Sequence, residues 1–197
     1  MLFARRHDLC RRVFCDKMRY REGCCLEIKT ERLTLRPLSL EYLDSTHAYA
    51  SDLENTRFMM FLPNASRGET EAFIREAVSE RAKPEPAYYE FAVLLGNAQI
   101  GGISLYFLQD RREAELGWIL DKRHWGHGYA AEAARGLMDW GRQQWGIRRF
   151  IAQCDAENAP SWRLMERLGM RRIGCAGGRK NRSSDEERTE LTYVIEY

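Results

Sequence analysis

No run of apolar residues in this 197-residue chain approaches the eighteen or so that a membrane-spanning helix requires. No apolar stretch follows Arg5 and Arg6 either, so the basic N-terminus does not read as a signal peptide, and the chain is expected in the cytoplasm with no membrane partner. Charge of one sign is also scarce, because the net charge is only +2. It is unevenly spread. Residues 1–26 hold seven Arg or Lys (Arg5, Arg6, Arg11, Arg12, Lys17, Arg19, Arg21) against three acids (Asp8, Asp16, Glu22), which is +4, so the remainder sums to −2. A mildly acidic body lacks the clustered basic face that phosphate backbones demand, which argues against nucleic acid as a partner.

Paired C-x-x-C spacing is missing as well. Four of the six cysteines, Cys10, Cys15, Cys24 and Cys25, fall in the first 26 residues, and adjacent Cys24 and Cys25 suit a single ion poorly. No metal is therefore expected, and without an export signal the thiols are expected to be reduced. The composition, 44% hydrophobic and 30% charged, is that of an ordinary soluble domain. Residues 1–26 show neither strand nor helix periodicity and read as an arm outside one domain spanning 27–197; a chain begun at Met18 is expected to fold.

From Glu31 the pattern sharpens. Leu33 and Leu35 alternate with polar neighbours, as in a half-buried strand ended by Pro37. Residues 40–51 and 53–60 read as short helices, and Ser66 to Glu69 as a capping box opening a helix to about Arg81. Tyr88 to Leu95, Ala98 to Leu108 and Glu113 to Leu120 read as a three-strand meander, its first two strands joined at Gly96-Asn97. A helix over 129–145, a strand over 150–154, a helix after Asn158 and strands at 171–175 and 191–196 complete the order, with a polar loop at 177–188. The expected class is α+β: one mixed, mainly antiparallel sheet of six to seven strands flanked by helices. The strands near 115–120 and 150–154 form a parallel pair across one helical crossover.

The run from Leu120 to Ala133 ends a strand, turns through Gly126 and Gly128, and starts an amphipathic helix. A helix N-terminus offers several unpaired N–H groups and the positive end of its dipole, which together suit a phosphate. The glycines let the backbone approach closely, and Arg123 can add a charge-assisted contact. The run lacks both the Gly-Lys of a Walker loop and the third glycine of a dinucleotide fingerprint.

The spacing Arg123-x-x-Gly126-x-Gly128-Tyr129-Ala130-x-Glu132-Ala133 resembles the acetyl-CoA motif of the GNAT acetyltransferase superfamily. Glu115 to Leu120 looks like that family's central strand, and Asn158-Ala159-Pro160-Ser161 with Leu164, Leu168-Gly169-Met170 like its second CoA-contacting helix. Thr30-Glu31-Arg32-Leu33-x-Leu35-Arg36-Pro37-Leu38 is similar to the opening of the RimJ/RimL-like branch, which acetylates protein N-termini or small amines. The resemblance covers about residues 28–197 and implies a splay of the parallel pair. It implies main-chain pairing of Trp118, Ile119 and Leu120 with the pantetheine arm. The pyrophosphate would rest on the amides of Gly126, His127, Gly128, Tyr129 and Ala130, with Arg123 and Trp125 beside it and Asn158 and Ser161 near the thiol. Acetyl-CoA is then the cosubstrate, the acceptor is a peptide N-terminus or a small amine, and a homodimer is allowed.

Amine acetylation by direct attack needs a base for the ammonium, support for the oxyanion, and a proton donor for the thiolate. Many GNAT enzymes place that donor, a Tyr, four residues beyond the Ser161 position, where this chain has Met165. The RimL-like branch implies Ser161 in its place, and Met165→Tyr is expected to restore part of the rate to a Ser161→Ala variant. Asp185, Glu186 and Glu187 of the 177–188 loop do not align with the base of RimL-like relatives, which leaves Glu115 on the central strand. His124 and His127 are expected to flank the cofactor. Trp118, Trp125, Trp140, Trp145 and Trp162 are expected to line core or cleft, and Phe58 to Phe61 to be core or a wall of the acceptor site.

Overall fold

The computed structural model describes residues 26–108 and 110–197, so the four N-terminal cysteines and the arm before residue 26 lie outside the described residues. Among the described residues eight strands form one sheet: β1 (Ile28–Lys29), β2 (Leu33–Pro37), β3 (Tyr88–Leu95), β4 (Ala98–Phe107), β5 (Glu113–Leu120), β6 (Arg149–Asp155), β7 (Arg171–Lys180) and β8 (Glu187–Glu196). Their spatial order is β1-β2-β3-β4-β5-β6-β8-β7, and every neighbouring pair is antiparallel except β5–β6. The mixed α+β class and the parallel pair are as the sequence implies, with more strands than the six to seven expected. The additional one is β1, two residues held to β2 through the Thr30–Leu33 turn.

The described residues also form five α-helices around this sheet: α1 (Leu43–Ala50), α2 (Leu53–Thr56), α3 (Arg67–Arg81), α4 (Tyr129–Trp145) and α5 (Ala159–Arg167). The helix expected at 53–60 stops at Thr56, so Phe58 to Phe61 are not helical. Ser66 caps α3 by accepting from the Glu69 N–H at 3.2 Å, and the Glu69 carboxylate accepts from the Ala65 N–H at 2.7 Å.

Side chains alternate across each strand, so the sheet has two separate cores. Leu33, Leu35, Phe91, Ile103, Leu105, Leu116 and Phe150 face α4 and α5, against Ala134, Leu137, Met138 and Met165. Trp140 meets Tyr89 and Phe91 edge-on, with ring centroids 5.2 and 5.6 Å apart. On the opposite face Ala92 and Leu94 pack with Leu38, Tyr42, Leu43, Ile74 and Ala77 under α1 and α3. Each fully buried Leu, Ile or Phe contributes about 1.5–3 kcal/mol relative to an exposed one. Among the described residues no helix is long and apolar enough to cross a membrane.

The loop expected at 177–188 is a correction. β7 runs to Lys180 and β8 starts at Glu187, with register shifts at Arg172/Gly174 and Ala176/Arg179. β7 is an edge strand that buries almost no apolar side chain, so it carries no hydrophobic alternation to read.

Candidate active site

The β5–β6 pairing runs from Glu113/Arg149 to Leu116/Ala152 and then stops. Beyond that point β5 stays with β4 as far as Leu120, and β6 stays with β8 as far as Asp155. Gly117–Leu120 and Gln153–Asp155 therefore edge an opening within the sheet. The Asp121 N–H donates to the Ile100 carbonyl at 2.9 Å. Because antiparallel bonding alternates, the main chain of Ile119 belongs to the β4 ladder, whereas that of Trp118 and Leu120 is turned toward the opening. The Leu120 carbonyl accepts from Asn55 Nδ2 at 2.8 Å and Trp125 Nε1 at 2.9 Å. Asn55 Oδ1 also accepts from the Lys122 N–H at 2.7 Å, so this buried side chain fixes the way the chain leaves β5.

At that exit Lys122–His124 form a single 3₁₀ turn that leads to Gly126 and Gly128. Both glycines have φ of +80°, a left-handed conformation that few other residues adopt without strain. Gly128 is the N-cap of the 17-residue α4, and no side chain caps it. The first-turn N–H groups are thus left for a ligand, and with the helix dipole they make an anion cradle. His127 stacks on Tyr129 at 5.5 Å. Arg123, expected to supply charge here, is instead paired with Asp121 at 2.6 Å and is largely exposed. Trp125 is 44% exposed, while Trp118, Trp140, Trp145 and Trp162 pack partly buried against the α4-side core.

At the other end of the opening, Asn158 precedes α5 and its carbonyl accepts from the Ser161 N–H at 3.0 Å. Ser161 is buried, with its hydroxyl beside the Cys154 thiol. Burial pushes that thiol up to about 11, so it stays protonated at neutral pH and is a poor nucleophile. Met165 is fully buried within the core under α5. A Tyr there would overpack the core, which works against the rescue expected of Met165→Tyr.

Glu115 lies on the face opposite Ser161's helix, beside Tyr106 on β4 and Ile151 on β6. Burial raises its carboxyl above the ordinary range, and the nearby Glu190 raises it further. Glu90 on β3 shares this face. It accepts from the Tyr106 hydroxyl at 2.7 Å, yet burial pushes it up to about 7. Glu190 is neutralised by buried Arg179 at 2.6 Å. Arg179 also donates to the Phe58 carbonyl at 3.0 Å, and the Arg182 main-chain and side-chain N–H groups reach the carbonyls of Met59 and Phe61. These bonds tie the 58–61 segment to the β7–β8 hairpin. Phe61 is 81% exposed, so it is not part of the core.

The structure thus gathers Trp118, Leu120, Gly126 to Ala130, Asn158, Ser161 and Glu115 around one opening. Sequence reasoning missed Asn55, Glu90, Tyr106, Cys154 and Arg179. None carries a local motif: Glu90, Tyr106, Cys154 and Arg179 gain their places from register between strands, and Asn55 from the packing of a short helix against the end of β5.

The acetyltransferase (GNAT) domain family matches residues 32–171. The chain is similar to the uncharacterized N-acetyltransferase YnaD of Bacillus subtilis (strain 168), 29% identical over 153 residues, 76% of this chain and 85% of that protein. A GNAT-family acetyltransferase structure from Bacillus anthracis superposes with a TM-score of 0.77 at 28% identity, covering 87% of this chain and 98% of its own. A RimL ribosomal-protein α-N-acetyltransferase in complex with coenzyme A reaches a TM-score of 0.78 at 17% identity, covering 87% and 98%. At that identity the likeness is one of fold.

Proposed function

We propose, for a chain that belongs to the GNAT acetyltransferase family, a protein N-terminal α-amine as the acceptor of the acetyl group. The observation that carries the reading is the sheet opening, with an anion cradle at one end and a buried hydroxyl at the other. That order of groups suits acetyl-CoA. Its pyrophosphate rests on the amides of residues 126–130, its pantetheine arm runs along Trp118 and Leu120, and its thioester ends near Asn158 and Ser161. Glu115 takes a proton from the acceptor's ammonium so that the free amine attacks the thioester carbonyl, and the Ser161 hydroxyl donates to the departing thiolate. The RimL likeness supports a peptide terminus. So does the electrostatics of the acceptor face, where Glu190 is paired with Arg179 and burial favours the neutral form of Glu90, which reduces the negative charge offered to a polycation.

The carboxylates Glu90, Glu115 and Glu190 on one face favour a second reading, a small polyamine acceptor. A panel of peptides differing in their N-terminal residue, run beside polyamines, amino acids and aminoglycosides, decides between them by acetyl-CoA-dependent thiol release. Peptides are expected to be the better acceptors, and a polyamine that outruns every peptide overturns the first reading.

The cofactor site has its own test. Gly128→Val places a β-branched side chain at a φ of +80° beside the cradle. It should weaken CoA binding by at least about tenfold, or about 1.4 kcal/mol. Unchanged affinity by calorimetry, in a variant that folds, removes the turn from the cofactor site.

A further inference from the structure

The opening motif Thr30-Glu31-Arg32 has no role in the chemistry above, yet the fold carries it to the anion cradle. Thr30 and Arg32 lie in the turn between β1 and β2, about a hundred residues from α4 in sequence. Glu132, in the first turn of α4, gathers both. Its Oε1 accepts from the Arg32 N–H at 2.7 Å and from the Thr30 hydroxyl at 2.5 Å, and its Oε2 accepts from Arg32 Nε at 2.7 Å. So held, the Arg32 guanidinium lies 4.7 Å from the Tyr129 ring centroid and donates from Nη1 to the His127 carbonyl at 3.2 Å. Its Nη2 is 3.6 Å from where a Cβ on Gly128 would sit.

In a trans peptide the C=O of one residue and the N–H of the next point in opposite directions. Holding the His127 carbonyl therefore aims the Gly128 N–H away from Arg32. Neither glycine stiffens the turn by itself, since both are free to leave the left-handed region. We propose that Arg32, locked by Glu132, is a positioning residue that orients the 127–128 peptide of the cradle for the diphosphate of acetyl-CoA. Arg123, the guanidinium that the sequence singles out, is engaged with Asp121 and does not reach the turn's carbonyls. The inference rests on the reading of residues 126–130 as the diphosphate site.

The test compares two donors. Acetyl-pantetheine has the thioester and the pantetheine arm of acetyl-CoA but no diphosphate. Arg32→Ala should raise the Kd for CoA about tenfold, and leave kcat/KM with acetyl-pantetheine and the KM for the acceptor unchanged. Equal losses with both donors would mean a merely structural role and overturn the proposal. So would an unchanged CoA affinity. If Arg32→Ala does not fold, Arg32→Lys decides. It keeps the charge but lacks the planar fork that reaches the carboxylate and the carbonyl together. The same tenfold loss is expected, and retained affinity would overturn positioning in favour of simple charge. Gly128→Val keeps the two readings apart: if it leaves CoA affinity intact, the site itself is misplaced, whereas if it weakens binding and the Arg32 variants do not, only the role of Arg32 fails.

Discussion

Ser161→Ala should lower turnover by roughly 10²-fold, the range for loss of one acid or oxyanion donor. Its affinity for acetyl-CoA should hardly change. The hydroxyl is buried near the end of β6 that has parted from β5, on a different element from the glycine turn proposed to hold the diphosphate. A role confined to the transition state lowers turnover and the specificity constant together, whereas a binding role raises the Michaelis constant alone. Steady-state kinetics with a saturating acceptor separates the two. Wild-type turnover in a folded Ser161→Ala protein would leave the hydroxyl as a local partner of Cys154 and nothing more. Because Cys154 is protonated and poorly nucleophilic, it does not replace the lost donor by forming an acyl-enzyme.

Glu115→Gln should cost a comparable factor, roughly 10² at neutral pH, because general-base assistance is typically of that order or larger. The wild-type rate should rise with pH through the elevated pKa of this carboxyl, and the variant should lose that limb. Stability moves the other way. The folded pKa is raised, so the folded state holds the proton more tightly than the unfolded chain. The stabilisation is fully present below the unfolded value and is lost as the pH rises through the folded one. Glu115→Gln has no such loss, and at about pH 8 it should melt no lower than wild type. A carboxylate serving only to satisfy a neighbouring strand would melt lower when replaced. Glu90, on the same face, is also raised, to about 7, so Glu90→Gln is the necessary companion. If it keeps the acid limb, the limb belongs to Glu115; if it abolishes it, the base is Glu90.

Strong local patterns made much of the fold legible. The strands Tyr88–Leu95 and Glu113–Leu120 and the helix Tyr129–Trp145 were read to the residue, because each is bounded by a turn glycine, a proline or a change of period. The glycine turn was legible for the same reason, since φ of +80° at Gly126 and Gly128 leaves a direct trace in residue type. The β7–β8 hairpin was not, because an exposed edge strand rich in Gly, Arg and Lys has no buried stripe to betray it. Nor was the Glu90–Tyr106 pair, which exists only because Glu90 pairs with Ser104, two residues from Tyr106 on the same face. Arg123 shows the opposite failing. It stands at the motif's expected position, but an aspartate two residues before it claims the guanidinium.

A hydrogen-bonded sheet is normally a partition, and whatever approaches one side is hidden from the other. This one has a doorway between Trp118 and Cys154, where the ladder lapses. Ser161 stands on one threshold and Glu115 on the other. Two reactants meeting in such a doorway need not queue for a shared entrance. On the proposed reading each arrives from its own face, and the acetyl group passes directly from one to the other, with no need for the protein to hold it in between.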